Sequence, residues 1–419
     1  MNKKQRFIPT LRFPEFEKDG EWEIKTLDEL GEMINGLTYS PKDVRDEGLL
    51  VLRSSNIQNG TIDFNDCVFV RTDIKGANLT QPRDILVCVR NGSKRLIGKN
   101  ALIPENIPLT THGAFMTVFR ASNPDFVYQL FQSDAYDKQV KADLGATINS
   151  INGKNFIKYE FAIPINPKEQ QKIAYCLSSL DELIIAHNEK LEALQDHKKG
   201  LMQNLFPQEG QKVPNYRFPE FEKDREWVEK SIGSVAKVSA GGTPTSTNQK
   251  YWSGDIPWMN SGELNLKKVY SVANKITELG LIESSTKKLP PFCVLIGLAG
   301  QGKTRGTAAI NYIELCTNQS IAAIHPNKKE FDSEFLYHKI DSIYKTLRRL
   351  STGQGGRGGL NLSIIREIEI SFPTIAEQQT IASCLSAIDG LINNQAEIIK
   401  QLQQHKKGLV QGLFPKTDK

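Results

Sequence analysis

Residues 169–207 read EQQKIAYCLSSLDELIIAHNEKLEALQDHKKGLMQNLFP, and residues 377–415 read EQQTIASCLSAIDGLINNQAEIIKQLQQHKKGLVQGLFP. The first copy places Leu177, Leu180, Ile184, His187, Leu191, Leu194, Lys198, Leu201 and Leu205 at alternating steps of three and four. The second places Leu385, Ile388, Ile392, Gln395, Ile399, Leu402, Lys406, Leu409 and Leu413 at the same steps. This is the a/d pattern of a coiled coil. Both copies break the apolar seam at the same two steps, His187/Gln395 and Lys198/Lys406. A parallel pair would set Lys198 against Lys406, whereas an antiparallel pair moves the two lysines apart, so antiparallel pairing of the helices is expected. Leu177, Leu180, Ile184, Leu191 and Leu194, with Leu385, Ile388, Ile392, Ile399 and Leu402, are the residues expected to pair the helices.

Each copy carries a start signal. Asn166-Pro167-Lys168-Glu169 offers Asn at the N-cap, Pro at the first helical position and Glu at the third, and Thr374-Ile375-Ala376-Glu377 offers a capping box. HKKG at 197–200 and 405–408 reads as a helix end, with cations in the last turn and then glycine. Pro207 and Pro415 are firmer stops. Helices of this length span roughly 45–55 Å at 1.5 Å per residue, more than the ~34–36 Å of one turn of B-DNA.

Outward from the helices, FPEFEKD occurs at 13–19 and again at 218–224. The period of roughly 205 residues is far longer than the 20–50 of a solenoid unit, so the chain is a duplicated domain-plus-helix. Between the repeats lie 24–163 and 230–372. Runs at 85–89, 294–296 and 321–324 read as strands, and 128–141 and 334–350 have helical spacing. The two middles share a faint skeleton. Gly36-Leu37-Thr38 answers Gly241-Gly242-Thr243, and the stretch through Gly145, Asn149 and Asn152 answers the glycine-rich run ending in Leu360-Asn361-Leu362. Elsewhere nearly every side chain differs: one fold with two surfaces. The expected organisation is a first domain at 1–165, its helix at 166–206, a linker and repeated lead-in at 207–229, a second domain at 230–373, and its helix at 374–415. The fold class is α+β: two mixed α/β domains separated by a pair of long antiparallel coiled-coil helices, with pseudo-two-fold internal duplication.

The 419 residues are 39% hydrophobic and 24% charged, with net charge +5 and a pI near 8.7. That balance permits nucleic-acid binding without demanding it. No apolar run approaches the ~20 residues of a membrane span, and the N-terminus has no secretory pattern, so a cytoplasmic location is expected. Cys67, Cys88, Cys176, Cys293, Cys316 and Cys384 have no CxxC and no zinc spacing, and read as buried thiols.

The first middle offers Arg53, Ser54, Asn56, Arg90, Asn91, Lys94, Arg95 and Lys99 in or beside loops. The second offers Trp258, Asn260, Ser261, Gln301, Lys303, Arg305, Asn318, Gln319 and Arg357. Arg, Lys, Asn and Gln meet base edges and phosphates, so these are the candidate DNA contacts. The run at 353–359 is a glycine-rich loop around Arg357, suited to close backbone approach.

One motif points elsewhere. Residues 297–304, GLAGQGKT, match GxxxxGK[ST], the phosphate loop of NTPases. That loop must open a helix, yet Arg305-Gly306-Thr307 follows, and no strand ending in a magnesium-binding Asp appears downstream. The first copy has Arg90-Asn91-Gly92-Ser93-Lys94-Arg95 there, so a strand–turn–strand with a basic tip is expected in both. Leu289-Pro290-Pro291-Phe292 lacks the Asn or Asp of an amino-methyltransferase motif. His112, His325 and His338 show no triad spacing, and no metal cluster or catalytic residue is read.

The sequence resembles the specificity subunit of type I restriction-modification enzymes over essentially its whole length. The carrying features are RFPEF…W at 12–22 and 217–227, Gly241-Gly242-Thr243-Pro244 with Ile256-Pro257-Trp258, Leu360-Asn361-Leu362, and above all Pro…Glu-Gln-Gln-x-Ile-Ala…Leu…Asp at 164–181 and 373–389. The resemblance implies two target-recognition domains held apart by an antiparallel helical pair, each reading one half of a split, asymmetric DNA site. It implies helices that dock two modification subunits, which methylate adenine N6, and restriction subunits that cleave DNA. No cofactor is implied in this chain; S-adenosylmethionine, ATP and Mg belong to those partners. A scaffold that joins proteins without reading DNA is the other class of function that the duplication allows.

Overall fold

The computed structural model describes residues 7–144, 149–300, 302–351 and 359–415. The chain forms two compact units, Met1–Asn188 with Glu397–Lys419, and Glu189–Ala396. Both boundaries fall inside the long helices, Pro167–Leu205 and Ile375–Leu413, so each unit holds part of both.

The first unit is built on an antiparallel sheet. β1 (Gly31–Asn35) pairs with Met116–Ala121, which pairs with Ile85–Cys88, and Asn100–Leu102 forms the far edge. A second sheet joins Leu49–Leu52, in parallel, to Thr110–His112. We number these strands β2 (Leu49–Leu52), β3 (Ile85–Cys88), β4 (Asn100–Leu102), β5 (Thr110–His112) and β6 (Met116–Ala121). The Leu49–Leu52 and Ile85–Cys88 runs are buried at every residue, the pattern of strands covered on both faces.

The second unit repeats the plan. β7 (Trp252–Met259) lies parallel to β10 (Cys316–Thr317), and β8 (Val294–Gly297) forms an antiparallel hairpin with β9 (Ala308–Asn311). β11 (Ile321–Ile324) pairs with the other edge of β8. The helical spacing at 128–141 and 334–350 resolves into shorter pieces. Ser133 caps a new helix, Asp134–Asp143, after Pro124–Leu130, and Ser333–Ser342 is followed by Tyr344–Leu350.

Within the first unit the helices run antiparallel. Leu11 donates its N–H to Gly412 O, Arg12 bonds Glu169, and Lys406 bonds Asp181, so the second helix descends as the first ascends. The second unit gives the same result alone: Tyr216 N–H donates to Asn204 O, Arg217 bonds Glu377, and Lys198 bonds Asp389. The seam lysines therefore face aspartates.

Two local expectations are corrected. HKKG does not end either helix, since both continue through Gly200 and Gly408 to Leu205 and Leu413, 39 residues each. Glycine inside a helix costs about 1 kcal/mol. Leu205 and Phe206 enter the core of the second unit, and Leu413 and Phe414 that of the first. Each such burial contributes about 1.5–3 kcal/mol, which outweighs the glycine. Pro207 and Pro415 lie just beyond the ends. At 1.5 Å per residue each helix is roughly 58 Å long.

The capping boxes are half-formed. Asn166 Oδ1 accepts from Lys168 N–H at 3.0 Å and Thr374 Oγ1 from Glu377 N–H at 3.4 Å. Glu169 and Glu377 do not turn back to the caps. Glu169 accepts two bonds from Arg12, both 2.8 Å, and Glu377 accepts two from Arg217, at 2.8 and 2.6 Å. The repeated RFPEF lead-in thus exists to deliver an arginine to a buried helix-start glutamate. Trp22 Nε1 adds a donor to Glu169 at 3.3 Å. Carboxylate bonding holds both guanidiniums above their usual pKa.

No helix among the described residues is long and apolar enough to cross a membrane.

Candidate nucleic-acid interface

In the first unit the parallel pairing of β2 and β5 sets Leu52 opposite His112, so both strands end side by side. Beyond β2 come Arg53 and Ser54; beyond β5 come Gly113, Ala114 and Phe115. Gly113 N–H donates to Leu52 O at 2.9 Å and Leu37 N–H to His112 O at 2.7 Å, drawing the Gly36–Tyr39 loop over the same ends. A Cβ at Gly36 would stand 2.1 Å from Gly113 O, so this approach requires glycine. The β3–β4 hairpin closes the site. Val89 and Arg90 N–H groups both donate to Phe115 O, and Asn91 Nδ2 donates to Ser54 Oγ at 3.0 Å. The Arg90 guanidinium stands 5.7 Å from the centre of the Phe115 ring, within cation–π range, and that ring is 58% exposed. Tyr39, Arg53, Ser54 and Phe115 line a pocket of about 370 Å³. Beneath, His112 is buried and its Nε2 contacts Ile34 O at 3.0 Å; burial pushes its pKa down.

The second unit reproduces this scaffold with other side chains. Asn318 N–H donates to Met259 O at 3.0 Å and Gly242 N–H to Thr317 O at 2.8 Å, the counterparts of the Gly113 and Leu37 bonds. A Cβ at Gly241 would lie 2.0 Å from Thr317 O. Leu298 N–H donates to Ser320 O, as Val89 does to Phe115 O. By these bonds Arg53 corresponds to Asn260, Gly113 to Asn318, Ala114 to Gln319, Phe115 to Ser320 and Thr38 to Thr243. Asn260 Oδ1 accepts from Gly262 N–H at 2.8 Å, and Thr243 Oγ1 donates to Gln319 Oε1 at 2.6 Å.

The described residues of 297–304 lie between β8 and β9, which pair as an antiparallel hairpin with Ile296 opposite Ala308. No helix starts among the described residues of this loop, so the phosphate-binding geometry of an NTPase is absent there. Among the described residues no group of three His, Cys, Asp or Glu side chains could hold a metal ion. The arrangement offers fixed donors, acceptors and cations on loops at the strand ends.

The family described as "Type I restriction modification DNA specificity domain" matches residues 19–196 and 224–404, one copy per repeat. The chain belongs to this family. A protein of Methanocaldococcus jannaschii, whose name assigns it to the specificity subunits of a type I restriction enzyme, MjaX, is 26% identical over 93% of this chain and 92% of its own length. The MjaIX specificity subunit of the same organism is 33% identical over 42% of each chain. The crystal structure of a type I restriction-modification S subunit from M. genitalium shares the fold, with TM-score 0.63 and 16% identity, over 98% of this chain and 99% of that one. A chain from a study of the assembly and conformational transition of a type I restriction-modification system aligns with TM-score 0.52 at 17% identity, over 94% and 97%. The protein is thus a specificity subunit of a type I restriction-modification system, the component that carries recognition rather than catalysis.

For this specificity subunit, the strand-end scaffold gathers Arg53, Ser54, Arg90 and Asn91 in one unit and Asn260, Ser261, Asn318 and Gln319 in the other. Lys94 and Arg95 are exposed on the neighbouring turn, Lys303 is exposed on the equivalent hairpin, and Arg305 is half-buried. Three expectations are corrected. Asn56 is fully buried: its Oδ1 accepts from Arg53 N–H and its Nδ2 donates to Asp63 O and Asp66 O, so it builds the turn beneath Arg53. Trp258 is buried, its Nε1 donates to Gly242 O at 3.0 Å, and its ring packs edge-on against Trp252. The Lys99 ammonium donates to Ile57 O. Gln301 and Arg357 lie outside the described residues.

Phe115 and Thr243 were not identified from sequence. An isolated phenylalanine reads as core, and only the strand-end position exposes it. On the helices, Leu177, Leu385, Ile388 and Ile399 are buried, while Leu180, Ile184, Leu191, Leu194, Ile392 and Leu402 are half-buried. Off the seam, Tyr175, Leu183 and Leu391 are exposed at 74%, 43% and 53%.

Proposed function

We propose that each unit reads one half of a bipartite, asymmetric DNA site and that the helices fix the spacing between the halves. The helices also dock modification subunits, which use S-adenosylmethionine to methylate adenine N6. Restriction subunits, with ATP and Mg, add cleavage. The observation that carries this reading is one strand-end scaffold bearing two different sets of side chains: Arg53, Arg90 and Phe115 in one unit, and Asn260, Asn318 and Gln319 in the other. A duplicated scaffold with matched tips would suit a symmetric target; mismatched tips suit two unlike half-sites. The exposed apolar side chains off the helix seam, Tyr175 and Leu183 in the first unit and Leu391 in the second, support docking of the modification subunits.

The test is a chimera in which residues 230–372 come from another member of the family. One half of the methylated motif should change and the other should stay. A motif altered in both halves, or in neither, contradicts the reading.

A further inference from the structure

We infer that Gln319, held by Thr243, reads an adenine in the half-site of the second unit. The inference rests on the proposed function and names one of its base contacts.

Gln319 is exposed at the end of β10. Its backbone is pinned on both sides: Asn318 N–H donates to Met259 O, and Asn318 Oδ1 accepts from Ser320 N–H at 3.2 Å. The Thr243 hydroxyl donates to Gln319 Oε1 at 2.6 Å. A free glutamine loses rotamer entropy when it is fixed, and here that ordering precedes any ligand. An amide oxygen has two lone pairs, so Oε1 can still accept once more while Nε2 donates. One acceptor beside one donor is the complement of the adenine major-groove edge, N6–H and N7. Guanine presents two acceptors there, so one end of the amide would meet a like group. At the equivalent position the first unit has Ala114, which can make neither bond. The contact therefore belongs to one half-site only.

The experiment is a methylome of cells making the full chain with its modification subunits. Wild type is compared with Gln319→Ala, Gln319→Glu, Thr243→Val and Thr243→Ser. Gln319→Ala should make one A·T position in one half degenerate, with at least about fivefold loss of preference, and leave the other half intact. Gln319→Glu, which only accepts, should shift that position toward cytosine. Thr243→Val should weaken preference at the same position without changing its base, and Thr243→Ser should restore it. An unchanged motif with slower methylation would mean a phosphate contact and overturn the inference. Relaxation at a G·C position, or loss of all methylation by Gln319→Ala at normal expression, would overturn it too. A wild-type methylome with no split motif would instead sink the proposed function.

Discussion

Lys406 Nζ bonds both carboxylate oxygens of Asp181, at 2.5 and 2.7 Å, inside the apolar seam of the first unit. Lys198 meets Asp389 at 2.7 Å in the second. These pairs explain why a lysine interrupts each heptad run at the same step. In the antiparallel arrangement it faces the aspartate that closes the Glu-Gln-Gln…Asp motif of the other copy. Asp181 also accepts from Gln129 Nε2 at 2.9 Å, tying the helix to its domain. Asp181→Ala would leave the ammonium half-buried and unpaired. The pair is partly solvated, so a loss of about 1–2 kcal/mol is expected, while replacing both partners, Lys406→Met with Asp181→Leu, should be near neutral. Urea midpoints of the two variants check this; equal losses would mean that the pair does not govern the seam.

The buried pairs at the helix starts should matter more. Arg12 and Glu169 are 8% and 1% exposed, and Arg217 and Glu377 are 9% and 1%. Arg12→Ala leaves Glu169 buried with Trp22 as its remaining side-chain donor among the described residues, and about 3–5 kcal/mol of stability should go. Urea denaturation of the purified chain measures it. A loss below about 1 kcal/mol would show that Glu169 finds water, against its burial.

Acid should loosen the second unit through His338. Its Nε2 bonds Ser386 Oγ at 3.1 Å, and burial lowers its pKa from 6.5 to about 3. The unfolded chain therefore binds this proton at higher pH than the folded one. The stabilisation is fully present above about pH 6.5 and is lost progressively as pH falls toward 3, by up to about 1.4 kcal/mol per unit. His338→Gln, which keeps a donor for Ser386, should flatten stability against pH in that window. An unchanged slope would assign the acid sensitivity to other groups.

The strand-end residues divide into exposed side chains, proposed as contacts, and buried supports. Arg90→Ala should weaken DNA binding by the assembled complex and lower its salt slope by about 1 if it meets phosphate, or relax one base position if it meets a base. Asn56→Ala removes three partly buried hydrogen bonds and should lower stability by about 1–3 kcal/mol without a change of motif. Thermal melts and methylomes of both variants separate the two roles. An Asn56→Ala motif relaxed at one base would return Asn56 to the contacts.

The spacing proposal has its own test. Removing seven residues from each helix keeps the heptad register and shortens each rod by roughly 10 Å. The gap between methylated half-sites should shrink by about three base pairs, at the 3.4 Å rise of the duplex. An unchanged gap would mean that the helices do not set it.

Much of this was legible in the sequence because it was written twice. The seam, the helix starts, the proline stops and the β8–β9 hairpin follow from local pattern. The passage of the helices through Gly200 and Gly408 was not legible, since it depends on Leu205, Phe206, Leu413 and Phe414 finding distant cores. Nor was the diversion of Glu169 from its cap to Arg12, 157 positions away. At the strand ends, residue type put Arg90 and Gln319, which are exposed, on the same footing as Asn56 and Trp258, which are buried. Exposure at a strand end is a property of the β2–β5 and β7–β10 pairings, which no short window of sequence contains.

The most direct measurement is the methylome of a methylation-deficient host carrying this chain and a modification subunit of the same system. One split motif is predicted, with N6-methyladenine in both halves and unlike bases on either side of a fixed unread gap. A continuous motif, a symmetric one, or no sequence-specific methylation would contradict the account.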